Sequence, residues 1–368
     1  MQFQRDRRDK DSYPRLVGHW PDLDTDGNIY ISGYGFVHLD PFQLERHELK
    51  RSASIAGTVM LMRLLIPMLL IIPAQIFVQK IAHWLLANAP DNLVVWNAVL
   101  IQFRTDICTY GSLLIPMIFL MIVGGSDIKK RSNTAFKLST AVLSIGICLG
   151  LSSLIEVSGT WFTNICSFFG LTVPTSDSIP SIPAAQLLYF LRTGFVSVLL
   201  EEILLRGMLM RVLRKHGDAF ALMLTSIVSG LITGSIGNGL GAFLMALMYG
   251  YITLRTGSTV VAIVSHIFCA LWPELNQMVF SGDQVAKSTT CILLIAIGII
   301  CFAIICLNDY NAFILSGQSL DYARLSGQKP VKSRLTFKSK LAAAMTSSIF
   351  SVTAFLWIIR AVSKLISL

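Results

Sequence analysis

The sequence predicts an all-α, polytopic membrane helix bundle of about eight to nine transmembrane helices. Three observations predict it: a low share of charged residues, a succession of long apolar stretches, and basic residues confined to alternate connections. The chain has 368 residues, 54% of them hydrophobic and 14% charged, with a mean hydropathy of +0.64. Soluble domains carry about 25% charged residues, so this composition belongs to a membrane class.

A spanning helix needs about 20 mostly apolar residues. Segments near 54–79, 106–124, 137–158, 184–204, 219–239, 241–255, 258–280, 289–307 and 341–363 fit, although the sixth is short and the fourth is interrupted by Arg192 and Glu201-Glu202. The basic residues follow this division. Arg5 to Arg51, Lys129-Lys130-Arg131, Arg211 to Lys215, Arg255 and Arg324 to Lys340 fall on one side; the other holds little beyond Lys80, Arg104 and Lys287, and residues 159–183 there hold none. By the positive-inside rule this expects a multi-pass cell-membrane protein with a cytoplasmic N-terminus. The net charge of +9 therefore reads as a topology signal, with no nucleic-acid face.

In order, residues 1–52 form a polar N-terminal tail, 53–183 the N-terminal transmembrane helices, 184–280 a central core, and 281–368 the C-terminal helices with a basic loop at 308–340. In the tail, Thr25-Asp26-Gly27-Asn28-Ile29-Tyr30-Ile31 predicts a small hairpin. Asp22-x-Asp24-x-Asp26-Gly27 matches half of a calcium loop, but Gly33 stands where the bidentate Glu belongs, so a turn is the better reading. The first 50 residues hold no apolar run, and no cleavable signal peptide is expected. Seven cysteines lie in or beside apolar stretches without a C-x-x-C pair, which predicts neither a disulfide framework nor a zinc site. No cofactor is expected. His266 is the one histidine well inside the core, which argues against a catalytic metal needing three protein ligands.

Ionisable residues inside a bilayer cost at least about 2.5 kcal/mol each at its centre. Those within the apolar stretches are Arg63, Glu156, Arg192, Glu201, Glu202, Arg206, His266, Glu274 and Arg360. Most are near segment ends, where snorkelling explains them. Two adjacent carboxylates in Leu199-Leu200-Glu201-Glu202-Ile203-Leu204-Leu205 have no apolar role. Arg206, four residues after Glu202, shares its helix face and predicts an ion pair. Glu201 points about 100° away and has no local partner, which suits a general base with a raised pKa. The alternative is a carboxylate facing a polar groove or the cytoplasmic interface.

Glu201-Glu202-Ile203-Leu204-Leu205-Arg206-Gly207 resembles the E-E-x-x-x-R-G motif of the CPBP (Abi) membrane proteases, which include type II CAAX prenyl endopeptidases and bacteriocin-immunity proteins. The resemblance continues through Ala221–Thr233, Phe243, Gly250, Thr256-Gly257-Ser258, Ile263 and His266, and covers about residues 184–280. It implies an intramembrane endopeptidase in which Glu201 activates a water, Glu202 and Arg206 organise the site, and His266 stabilises the oxyanion. Its partner would be a membrane-embedded or lipidated peptide reached through the bilayer.

This chain departs from the family twice. Thr233 replaces the histidine of the second motif, and Ala270 replaces the oxyanion asparagine. A threonine hydroxyl binds a water but does not act as a base near pH 7. Losing an oxyanion donor costs on the order of 10²–10³ in rate. Glu274, about 80° round the helix from His266, and Asn238 or Asn276 are the candidate substitutes. Three readings follow: an endopeptidase with weakened or lost catalysis, a non-catalytic scaffold or immunity-type protein on the same fold, and a proton- or cation-coupled transporter. The absence of an inverted repeat counts against the third.

Overall fold

The structure is a computed structural model that describes residues 28–31, 35–38, 41–88, 92–124, 138–173, 179–308 and 335–366. Apart from one hairpin, the described residues are helical. β1 (Asn28–Ile31) and β2 (Gly35–His38) pair antiparallel, with Asn28 opposite His38 and Ile31 opposite Gly35. The hairpin falls where the sequence predicts one. The Thr25–Gly27 turn, the Asp22–Asp26 run and most of the 308–340 loop lie outside the described residues.

Ten helices follow. They are α1 (Pro41–Asn88), α2 (Leu93–Val123), α3 (Leu138–Phe168), α4 (residues 183–214), α5 (Asp218–Ile232), α6 (Ile236–Thr256), α7 (Thr259–Val279), α8 (Gln284–Asn308), α9 (Phe337–Met345) and α10 (Ser348–Ile366). Each of the nine predicted apolar segments finds its helix, but fewer cross by length and apolarity. Among the described residues six do so alone, and a seventh counts if α9 and α10, bent by 74°, form one broken span. The predicted 219–239 span shrinks because Thr233-Gly234-Ser235 ends α5 and starts α6, with Gly234 at φ 57°. α2 begins earlier than predicted, at Leu93, which moves Asp106 from a segment end into the helix interior.

Helix α4 is continuous but not uniform. α-Helical Pro183–Phe190, Ser197–Glu202 and Met210–Arg214 alternate with π-helical Leu191–Val196 and Ile203–Leu209. Wide π turns often mark functional sites, and here two of them bracket the acidic pair. α4 lies between α2 and α7, while α1 packs on α2 and α10, α3 on α8, and α5 on α6. The main core joins α1, α2, α4, α5, α9 and α10 around Leu204, Leu205, Leu209 and Phe220. Tyr249, Ile252, Val261, Ala262, Cys148 and Cys269 form a second core between α3, α6 and α7. Elsewhere large apolar side chains stay exposed, as at Ile292, Leu293, Ile299 and Ile300 of α8. Such surfaces are stable where lipid replaces water. All seven cysteines are free.

Candidate functional site

The site is assembled on α4, α6 and α7. The Thr256-Gly257-Ser258 turn sets α7 in place. Gly257 adopts φ 65°, a left-handed helix stop that favours glycine, and Ser258 caps α7 by accepting the Val260 N–H at 3.3 Å. The Thr256 hydroxyl accepts the Ser258 N–H at 3.2 Å, closing the turn. His266 then sits two turns into α7, facing α4. Gly194, in the first π segment, lets α7 approach: a Cβ there would lie 2.1 Å from Leu271 Cδ2.

Glu202 is fully buried and holds the site together. Its Oε1 accepts Arg206 Nη1 at 2.9 Å and lies 2.8 Å from His266 Nδ1. Arg206, also buried, donates a second bond to the Ala246 carbonyl at 3.3 Å and lies over the Tyr249 ring. Tyr249 stacks on His266 with ring centroids 4.5 Å apart. The imidazole is thus clamped between a carboxylate and an aromatic face. Its other nitrogen, Nε2, has no hydrogen-bond partner among the described residues, and the side chain retains 22% exposure. The predicted Glu202–Arg206 pair is present, and its link to His266 is a tertiary contact that helix spacing alone does not show.

Glu201 faces the other way, as its helical position predicts, but it does not lack a partner. It interacts electrostatically with Arg63 of α1, whose guanidinium donates to Ser112 of α2 at 2.9 Å. No hydrogen bond joins Glu201 to His266 or Thr233 among the described residues. Thr233 ends α5 exposed, its hydroxyl donated to the Gly230 carbonyl at 2.7 Å. Hydrogen bonds and ring contacts thus gather Glu202, Arg206, Tyr249 and His266, and among the described residues Glu201 and Thr233 bond to none of these.

The candidate substitutes go elsewhere. Glu274 accepts the Tyr189 hydroxyl at 3.0 Å and lies in reach of Glu156 and Lys287. Asn276 accepts the Thr290 hydroxyl at 3.0 Å, and Asn238 is exposed near the start of α6. Arg192 is no snorkelling residue: it is buried against Asp106, 3.4 Å away, and lies over the Tyr189 ring. Sequence reasoning missed Asp106 and Tyr249. An acidic residue inside the true extent of α2 would have signalled the first. Among the described residues, no group of three or more His, Cys, Asp or Glu side chains could hold a metal ion.

Fold and site together define an integral membrane protein built as a helical bundle. Residues 183–272 match the family model described as type II CAAX prenyl endopeptidase Rce1-like. The match spans Glu201, Glu202, Arg206, Thr233, His266 and Ala270, and supports the resemblance read from the sequence. At that coarse level the chain is similar to membrane endopeptidases of the CAAX-protease kind. No curated protein and no solved structure matches it.

Proposed function

We propose that the chain is an intramembrane peptide hydrolase of the CAAX-protease-like kind whose acid–base group is His266, oriented by Glu202. The observation that carries this reading is the clamped imidazole with an unpartnered, solvent-reachable Nε2. A carboxylate accepting Nδ1–H fixes the tautomer and leaves the Nε2 lone pair to take a proton from water. Arg206 holds the Glu202 carboxylate in place. Glu201, half-buried on the opposite flank, supplies a second carboxylate reachable by water. The substrate is a membrane-embedded or lipidated peptide, and the N-terminus lies in the cytoplasm, as the basic loops expect. With alanine at position 270 and the Thr233 hydroxyl already engaged, turnover is slow, by on the order of 10²–10³ relative to a site with a complete oxyanion hole.

The engaged Thr233 hydroxyl also favours a second reading, a non-catalytic scaffold that binds such a peptide. Purified protein in lipid nanodiscs, incubated with a library of prenylated and unmodified peptides and read by mass spectrometry, separates the two. Cleavage that disappears in His266→Ala while the fold persists supports the hydrolase. If Glu201→Gln abolishes cleavage and His266→Ala does not, Glu201 is the base. Absence of cleavage by the wild-type protein sinks the hydrolase reading in favour of the scaffold.

A further inference from the structure

A second site lies away from the Glu202 cluster. α5, α6 and α10 line an open apolar cavity of about 270 Å³ bordered by Ile227, Gly230, Phe243, Ser235, Trp357 and Ala361, among others. The cavity follows from the glycines. A Cβ on Gly230 would lie 2.9 Å from the Gly239 carbonyl oxygen, so α5 and α6 approach backbone to backbone and leave no side chains to fill the space beside α10.

One polar residue in the lining and a second beside it mark the cavity as more than a packing gap. Ser235 is 91% buried by its 9% exposure, and its hydroxyl has no hydrogen-bond partner among the described residues. Serine at a helix start ordinarily caps it, yet Ser235 precedes α6 with extended backbone and makes no side-chain cap bond. A buried hydroxyl left in this state is costly unless a ligand completes it. The second feature is Arg360. Its guanidinium carbon lies 5.0 Å from the Trp357 ring centroid, and its stem packs on the turn that carries Ser235: a Cβ on Gly234 would be 3.5 Å from Arg360 Cδ. No carboxylate pairs with Arg360 among the described residues.

We propose that this cavity binds one chain of an anionic membrane glycerolipid. The acyl chain fills the apolar space, Ser235 Oγ donates to an ester carbonyl, and Arg360 holds the phosphate. The ligand fits because a hydroxyl and a guanidinium flank one turn beside an apolar slot. A glycerolipid carries an ester and a phosphate a few bonds apart at the head of an acyl chain. The bilayer is the source of this ligand, and the site is independent of any hydrolysis at His266.

The test uses the full-length protein, delipidated in detergent and titrated with phosphatidylglycerol or phosphatidylcholine, with inorganic phosphate and free oleate as controls. Binding is read by native mass spectrometry and by thermal unfolding. Phosphatidylglycerol is expected to bind saturably and raise Tm. Arg360→Gln should weaken it at least about tenfold and remove its advantage over phosphatidylcholine. Ala361→Phe, which fills the slot, should abolish binding of both lipids. Ser235→Ala, too small a change to disturb the fold, should weaken both and keeps the test decisive if Ala361→Phe does not express. Equal affinity for the two lipids, full binding in Arg360→Gln together with Ser235→Ala, or equal stabilisation by phosphate alone would overturn the proposal.

Discussion

His266 Nδ1 meets Glu202 Oε1 at 2.8 Å across two helices, on the same carboxylate oxygen that accepts Arg206. One buried charge therefore anchors a contact within α4 and a contact between α4 and α7. Removing Arg206 leaves Glu202 buried without its cation, a loss of about 3–5 kcal/mol. Arg206→Ala should lower Tm by several degrees more than Glu201→Gln, which changes a half-buried group. Thermal unfolding of the two variants in the same detergent checks this order.

The Asp106–Arg192 pair makes a contrasting case. Both side chains are buried and their contact, at 3.4 Å, is long. Asp106→Asn should destabilise strongly by stranding the guanidinium. The double variant Asp106→Leu/Arg192→Leu should recover most of that loss, since an apolar pair of similar volume carries no desolvation penalty. A double-mutant cycle on Tm reads the recovery.

Helices α3 and α8 meet at Gly150 and Gly298, where a Cβ on Gly150 would lie 2.7 Å from the Gly298 Cα. Overpacking costs about 1–3 kcal/mol, and here the obstruction is backbone that cannot rotate away. Gly150→Leu should separate the two helices. Limited proteolysis of the loop around residues 281–283 should become faster, whereas Gly159→Ala, with open space around it, should leave it unchanged.

His216, in the turn between α4 and α5, gives the fold a pH dependence. It is buried, its Nε2 lies 2.9 Å from Ser52 Oγ, and burial together with Lys215 and Lys340 holds its pKa well below the usual value. The unfolded chain, with an ordinary pKa of about 6.5, takes up this proton first as pH falls. The contribution is complete above about pH 6.5 and is lost below it, by up to about 1.4 kcal/mol per pH unit. Tm measured at pH 7.5 and 5.5 should fall more in the wild type than in His216→Phe.

Much of this molecule is legible in its sequence because bilayer thickness and helical periodicity are local rules. The apolar segments and the Glu202–Arg206 pair follow from spacing alone. What spacing does not carry is which helix faces which. The bond between His266 and Glu202, the approach of Arg63 to Glu201 and the burial of Arg192 on Asp106 each join residues dozens of positions apart. Glu274 follows the same rule: helical angle makes it a candidate substitute, and the partner that holds its carboxylate is Tyr189, 85 positions away on α4. Motif alignment puts Thr233 where the family has its second-motif histidine, and the chain turn at Gly234 leaves it exposed at the end of α5.

The two π segments of α4 each act as a one-residue phase shift in an otherwise regular screw. Leu191–Val196 separates the azimuth of Glu201 and Glu202 from that of Tyr189, and Ile203–Leu209 separates it from that of Arg211 and Arg214. Deleting a single residue from Ile203–Leu209 would let the segment return to ordinary α pitch while what lies beyond keeps nearly the same facing. The contacts of Arg214 with Asp218 and of Lys215 with Glu48 would then persist, as would that of Glu202 with His266 on α7. A helix of this kind can be retuned at one end without disturbing the other.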